Sequence, residues 1–468
     1  MTPTAEARTV IDGCALATVD AGGTEYAEGH VVIEDGVLVA IGPGPAPAYG
    51  GAQTVDGHGC LATPGLINTH HHLYQWLTRG CAPDSTLFEW LVELYPVWAR
   101  IDADAVHSAA AAGLGWLALS GCSTSMDHHY VYPVVRQGRH SASASGRGDL
   151  LAAEIEAARS IGVRFHPARG SMDLGESDGG LPPDHVVEDV DTILEATAQA
   201  IDEHHDPSPG SMTRVAVAPC SPFSVTADLL RQSAALARDR GVRLHTHLCE
   251  TLDEEAFCRE KFGRSPTEYV EELGWLGPDV WVAHGIHFDD DAVRRLAGSG
   301  TGVAHCPSSN GRLGAGIARV RDLLAAGVPV GLGVDGPASN EHGGLGSELR
   351  IALLVARLRD GPTALAGREV LRMATMGGAR CLGRQDDIGS IEVGKRADVA
   401  LWDLTGLGHA DMAEDPVTAL VMGPPAPLRR LLVEGRTVVA DGELVTADVE
   451  ALGAAARTAR RSLLEVGM

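Results

Sequence analysis

Eight short apolar runs alternate with helical stretches between residues 66 and 334, and this alternation restricts the chain to a narrow set of folds. The runs lie at 66–70, 124–127, 163–168, 215–218, 242–247, 280–283, 302–305 and 328–334, with helical patterning between them at, for example, 227–238 and 290–296. Parallel strands need a long crossover, usually a helix, and strands covered on both faces read as near-continuous apolar runs. Eight such units close most economically into a (β/α)8 TIM-like barrel, an α/β fold.

Both ends of the chain read differently. Val31 to Ile41 holds two β-rich runs around Asp35-Gly36, a hairpin signal. β-rich texture returns at 398–402 and 431–439. We therefore expect a small β-sandwich domain built from both termini: its N-terminal part at 1–62, the barrel at 63–385, and its C-terminal part with a terminal helix at 386–468. A chain of 468 residues is long enough for a barrel plus such a module. Residues 137–149 are rich in Ser and Gly and read as a mobile loop. Residues 174–183 follow the third strand, where a loop is either a lid over the barrel mouth or an inert connection.

Composition excludes several classes of partner. The formal net charge of -25 leaves no basic face for a nucleic acid. No run of about 18 apolar residues predicts a membrane span, and the N-terminus has no basic segment followed by an apolar one. The nine cysteines are scattered without a C-x-x-C pair, as expected of a reducing, cytoplasmic setting rather than a disulfide framework or thiolate zinc site.

The chemistry gathers at the strand ends. Thr63-Pro64-Gly65-Leu66-Ile67-Asn68-Thr69-His70-His71-His72 closes the first barrel strand, and alternation puts His70 and His72 on one face. Two imidazoles on one face at a strand end can grip one divalent metal. The fifth strand ends in Leu244-His245-Thr246-His247-Leu248-Cys249-Glu250, the sixth in His284-Gly285, and the last in Val334-Asp335-Gly336. His245 shares a face with His247 and is an alternative ligand. For His128 and His129, an approach to the mouth and a paired, buried structural role both stay open.

This constellation resembles the amidohydrolase superfamily, in its mononuclear deaminase branch, over nearly the whole chain. Gly389 to Asp398 looks like that family's return into the small β domain. The resemblance implies His70, His72, His247 and Asp335 as metal ligands, Glu250 as proton shuttle, and His284 as the group that polarises water or bonds substrate. Asp335 would also accept the water's proton. Imidazoles and a carboxylate suit one Zn²⁺, with Fe²⁺ as the other choice. Two-metal members commonly use a lysine near the fourth strand, and neither Lys261 nor Lys395 lies there. A homo-oligomer is also implied.

Several stretches resemble a narrower group, the 8-oxoguanine deaminases, whose close relatives are triazine hydrolases: His70 to Gln75, Asp127 to Tyr130, Ala168 to Met172, Gly175 to Pro183 and Ala218 to Val225. The implied reaction is 8-oxoguanine plus water giving urate and ammonia. Gln75 would read the N–C=O edge of the base, Cys220 and Ser221 its far edge, and Trp76 or Tyr130 its face. The H-x-E…P-C-x-x-C signature of the other zinc nucleobase deaminases is absent. Isocytosine, guanine, isoxanthopterin or s-triazine substrates would use the same metal and acid. A barrel that has lost catalysis and serves as a scaffold is the reading from another class, and the intact set of six residues argues against it.

Overall fold

The computed structural model describes residues 8–137, 140–143 and 147–465. Eight parallel strands close a barrel: Leu66–Asn68, Cys122–His129, Arg164–Ser171, Ala216–Pro219, Arg243–Leu248, Val280–His284, Gly302–His305 and Val330–Leu332. Each falls within or overlaps one of the eight apolar runs of the sequence. The last strand returns to the first through Leu332 opposite Asn68. Nearly every strand residue is buried, because side chains fill the barrel inside and helices cover it outside. The helices start on side-chain caps, such as Asp102, Thr226, Thr251 and Asp289, which satisfy N–H groups that have no partner within the helix.

The termini build one nine-stranded, mostly antiparallel sheet. Strands Glu25–Glu34 and Val37–Pro43 form the expected hairpin, with Asp35 at φ 48° and Gly36 at φ 78°, as a tight mirror-image turn requires. Strand Cys60–Pro64 pairs antiparallel with Val399–Asp403 from the far end of the chain, and so joins the two halves. That strand runs straight into the barrel through Gly65. A Cβ there would lie 2.3 Å from Ser123 Oγ, so only glycine passes between sheet and barrel. Of the segment read as a mobile loop, residues 137 and 140–143 belong to a two-stranded hairpin in which Val134–Gln137 pairs with His140–Ser143. Residues 138, 139 and 144–146 of that segment lie outside the described residues. All nine cysteines are free, eight of them buried. Among the described residues no helix is long and apolar enough to cross a membrane.

One buried cation joins barrel to sheet. Arg164, at the start of the third barrel strand, has no exposed side-chain surface. It donates to Asp398 (3.2 Å to each carboxylate oxygen), to the carbonyls of Gly210 and Ser211 (2.7 Å each), and to Glu434. Asp398 also accepts the Glu434 N–H at 2.9 Å. Truncating one partner of a buried pair leaves the other charge unsatisfied, at a cost of about 3–5 kcal/mol. Arg164→Ala should therefore lose about 3–5 kcal/mol in denaturant unfolding. A loss below about 1 kcal/mol, the range of an exposed pair, would show that the network does not hold the two parts together.

Candidate metal centre and active-site cavity

The mouth of the barrel is where the strand ends bring His70, His72, His247, His284, Glu250 and Asp335 together. Regular pairing of the first strand stops at Asn68, yet its direction persists. The His70 carbonyl accepts Asp335 N–H at 3.1 Å and the His71 carbonyl accepts His128 N–H at 2.8 Å. Three of the later strand ends turn through left-handed backbone at non-glycine residues: Cys249 (φ 54°), His284 (φ 72°) and Asp335 (φ 61°). Such residues cost of order 1–3 kcal/mol each and persist where the surroundings over-determine them. Here the turns put His284, Asp335 and the residue after Cys249 at one centre.

The hydrogen bonds behind the imidazoles decide which nitrogen faces forward. His72 Nδ1 lies 2.7 Å from the His128 carbonyl and His247 Nδ1 2.6 Å from the Cys220 carbonyl. A carbonyl only accepts, so both rings carry their proton on Nδ1 and a lone pair on Nε2. His245 Nδ1 likewise faces the Trp281 carbonyl at 2.9 Å, so its Nε2 must accept, and His70 Nδ1 donates to it at 2.8 Å. His70 Nε2 is left with a lone pair and no hydrogen-bond partner. The three lone pairs converge: His72 Nε2 is 3.1 Å from His247 Nε2, and His70 and His72 Nε2 are each 3.3 Å from Asp335 Oδ1. Lone pairs facing one another and a carboxylate, all buried, repel unless a cation lies among them. The donor set therefore fits a divalent metal, with the second ring nitrogen of each histidine anchored from behind.

Electrostatics agree with neutral ligands. Burial holds His70 and His247 well below the ordinary imidazole range and lowers His72. Burial opposes charge on Asp335; a proton on the facing His70 Nε2 would hold its carboxyl well below the usual range, and with that nitrogen unprotonated the same support has to come from a cation among the ligands. Asp335 Oδ2 accepts Ser309 Oγ at 2.5 Å and Ser339 Oγ at 3.1 Å, and Oδ1 accepts Gly336 N–H at 2.7 Å. Across the centre, His284 Nε2 lies 3.6 Å from Glu250 Oε2 and 4.0 Å from Asp335 Oδ2, while its Nδ1 donates to Asn310 Oδ1 at 3.0 Å. Burial opposes the charged form of His284, yet Glu250 and then Asp335 raise it above its ordinary value. Burial pushes Glu250 up to about 7. A carboxyl poised there can give or take a proton near neutral pH.

The cavity over this centre is lined by Gln75, Cys220, Ser221 and Tyr130, as the sequence led us to expect. Gln75 is fully buried, and neither amide atom has a hydrogen-bond partner of normal geometry. A Cβ at Gly336 would fall 1.8 Å from Gln75 Oε1, so glycine beside Asp335 makes room for that amide. Of the two aromatics offered for the ring face, Tyr130 lines the cavity and Trp76 does not; Trp76 packs outside it, under the Arg79 guanidinium at 4.3 Å. The apolar wall comes instead from Trp90, Leu91 and Tyr95 on helix Leu87–Trp98, with Phe223 beyond the fourth strand. Among the described residues, none that lines the cavity is Lys or Arg. His245 is not a member of the forward-facing set; it supports His70. His128 turns its Nε2 to the Ala218 carbonyl at 2.8 Å and stacks on His247. His129 pairs with Glu154 at 2.7 Å. Residues 174–183 fold on themselves, Glu176 N–H donating to the Pro182 carbonyl at 2.8 Å, and contribute no lining residue. The supporting roles of Ser309, Ser339 and Asn310 carry no sequence signal that we recognise; they depend on how the turns after two strands meet.

Residues 61–442 match the Amidohydrolase family. The chain is 44% identical to an 8-oxoguanine deaminase of Pseudomonas aeruginosa, covering 96% of this chain and 98% of that protein. It is 36% identical to a hydroxydechloroatrazine ethylaminohydrolase of Pseudomonas sp. (strain ADP), covering 94% and 92%. Among solved structures, the zinc complex of an atrazine chlorohydrolase from Arthrobacter aurescens superposes with a TM-score of 0.91 at 34% identity, covering 97% of this chain and 100% of that one. A closed eight-stranded barrel with a terminal sheet, a His/Asp cluster at its mouth, and a family match over most of its length lead to one conclusion: the chain is an enzyme of the amidohydrolase family.

Proposed function

We propose that this protein is a hydrolytic deaminase of a small amino-oxo heterocyclic base, working with one divalent metal, zinc ahead of iron, and that its substrate is 8-oxoguanine. The observation that carries the chemistry is the convergence of the His70 and His72 lone pairs on Asp335, with His247 Nε2 facing His72 Nε2 beside them and Glu250 and His284 across the cavity. His70, His72, His247 and Asp335 would hold the ion. Bound there, it supplies Lewis acidity that brings a neighbouring water's pKa towards neutrality. A single ion also suits the lysines: Lys261 reaches the Gly179 carbonyl at 3.2 Å and Lys395 the Gln385 carbonyl at 2.6 Å, both away from the centre.

The chain's own groups do the proton work. Asp335 takes a proton from the attacking water, whose oxygen joins the ring carbon that bears the amino group. Glu250 protonates the neighbouring ring nitrogen, a task that needs a carboxyl near neutrality and within hydrogen-bond reach. His284, protonated on Nε2, donates to the incoming oxygen. Asp335 then hands the proton it took to the amino group, the C–N bond breaks and ammonia leaves, and the added oxygen gives its remaining proton back to Glu250 as it becomes the carbonyl. Base plus water gives oxo-base plus ammonia.

Substrate choice rests on the cavity and the relatives together. Gln75 offers a donor and an acceptor side by side, matched to an N–C=O edge, with Cys220 and Ser221 beyond it and Tyr130 and Trp90 for the ring faces. A wall whose described residues include no Lys or Arg favours an uncharged base over a phosphorylated nucleotide. The relative at 44% identity is an 8-oxoguanine deaminase, whereas the triazine-type relative is at 36%. Isocytosine, guanine, isoxanthopterin and hydroxylated aminotriazines are the competing substrates, served by the same centre. We further propose a cytoplasmic location, in keeping with nine free cysteines, and a homo-oligomer.

Two measurements test this reading. Ammonia release by metal-loaded enzyme should be fastest with 8-oxoguanine across those five substrate classes, and should stop on chelation. Preference for another ring would discard the substrate, and silence across the panel would discard the deaminase. Glu250→Gln should keep its metal yet lose about 10²–10⁴-fold in kcat. Unchanged turnover in that variant would remove Glu250 as the proton shuttle.

A further inference from the structure

The turn that delivers Glu250 is held by a carboxylate that never enters the cavity. Cys249, in left-handed backbone at φ 54°, ends the fifth barrel strand, and Glu250 follows it into the site. Four residues on, Glu254 lies in the first turn of helix Leu252–Phe262 with none of its surface exposed. Its Oε1 accepts the Cys249 N–H at 3.0 Å and its Oε2 accepts the Glu250 N–H at 3.0 Å.

This is not the contact that local sequence would favour. Thr251 caps the helix, its hydroxyl accepting the Glu254 N–H at 3.3 Å, and Thr-x-x-Glu is the spacing at which the glutamate normally reaches back to the cap residue's own N–H. Helix Pro266–Glu272 forms that ordinary arrangement, Glu268 reaching back to Ser265 N–H at 2.9 Å. In helix Leu252–Phe262 both Glu254 oxygens are engaged further upstream, on the N–H groups either side of the Cys249 α-carbon. The Cys249 carbonyl meanwhile accepts N–H from Ile286 at 2.9 Å and His287 at 3.0 Å, on the turn that follows His284. Glu250 and His284 are thus set 3.6 Å apart by one bonded unit of backbone, and Glu254 is its side-chain clamp.

We propose that Glu254 is a positioning residue for the reaction: by binding the two N–H groups of the Cys249–Glu250 turn, it fixes the carboxyl of Glu250 against substrate and His284. The inference rests on reading Glu250 as the proton shuttle. A hydrogen bond from a backbone N–H to a buried carboxyl oxygen is directional, and losing one leaves a buried donor without a partner. Displacing a catalytic group by about 1 Å can cost about 100-fold in rate.

Glu254→Gln tests the clamp, since it keeps the shape but sets an amide N–H₂ against a backbone N–H. Zinc-loaded Glu254→Gln should hold as much metal as the parent, keep its KM for 8-oxoguanine within about three-fold, and lose about 10–100-fold in kcat per bound zinc. Its crystal structure should show Glu250 moved away from His284 with helix Leu252–Phe262 in place. Ser265→Ala, which removes the cap of the next helix, controls for stability alone and should leave kcat per zinc unchanged. The proposal is overturned if Glu254→Gln has parental kcat, if its loss follows only lost metal or lost folded protein, or if Glu250 stays where it is. Those results are distinct from failure of the shuttle itself, which appears as normal turnover in Glu250→Gln; the crystal structure still decides the clamp in that case, or if 8-oxoguanine is not turned over.

Discussion

Three buried imidazole lone pairs gathered beside one carboxylate, two of them facing it directly, are the constraint on which the rest of this structure depends. Such an array is unfavourable by itself, and every ring in it is held by a bond from behind: His72 by the His128 carbonyl, His247 by the Cys220 carbonyl, His70 by His245. Those anchors sit on the second, fourth and fifth strands or just past them, so the barrel must close in register for the tautomers to be set. The left-handed residues Cys249, His284 and Asp335 mark the same demand in the backbone. They turn the chain inward at the end of the fifth, sixth and eighth strands, at a cost that dense packing around the mouth must offset.

The acid–base pair follows from that array. Burial first, and then the negative charge of Asp335, pushes Glu250 up to about 7, while Glu250 and then Asp335 raise His284 despite its burial. The surface charge of the chain, -25, plays no part in this local arrangement. The wall opposite is apolar and aromatic, and a flat neutral ring is the shape that complements it.

Much of this was legible in the sequence because it is periodic. Apolar runs separated by crossovers marked the eight strands, and the two-residue alternation at His70 and His72, with His247, Glu250, His284 and Asp335 at later strand ends, marked the cluster. What lay beyond local pattern was missed. His245 and His247 share a face, and only the Trp281 carbonyl, 2.9 Å from His245 Nδ1, separates the support from the forward-facing ring. The aromatic wall belongs to helix Leu87–Trp98, whose Trp90 and Tyr95 look in sequence like ordinary core residues, while Trp76, close to the histidines in sequence, turns outward. Residues 140–143 of the Ser/Gly-rich segment pair with Val134–Gln137, because a run poor in apolar residues can still be held by backbone hydrogen bonds.

The most direct test of the central claim is metal content measured together with thermal unfolding, before and after chelation. The facing lone pairs predict one equivalent of zinc or iron per chain, and a fall in Tm when it is removed, since an ion that binds only the folded cluster stabilises it. A chain that binds no metal, or two equivalents, or that melts at the same temperature with and without chelator, would contradict the account.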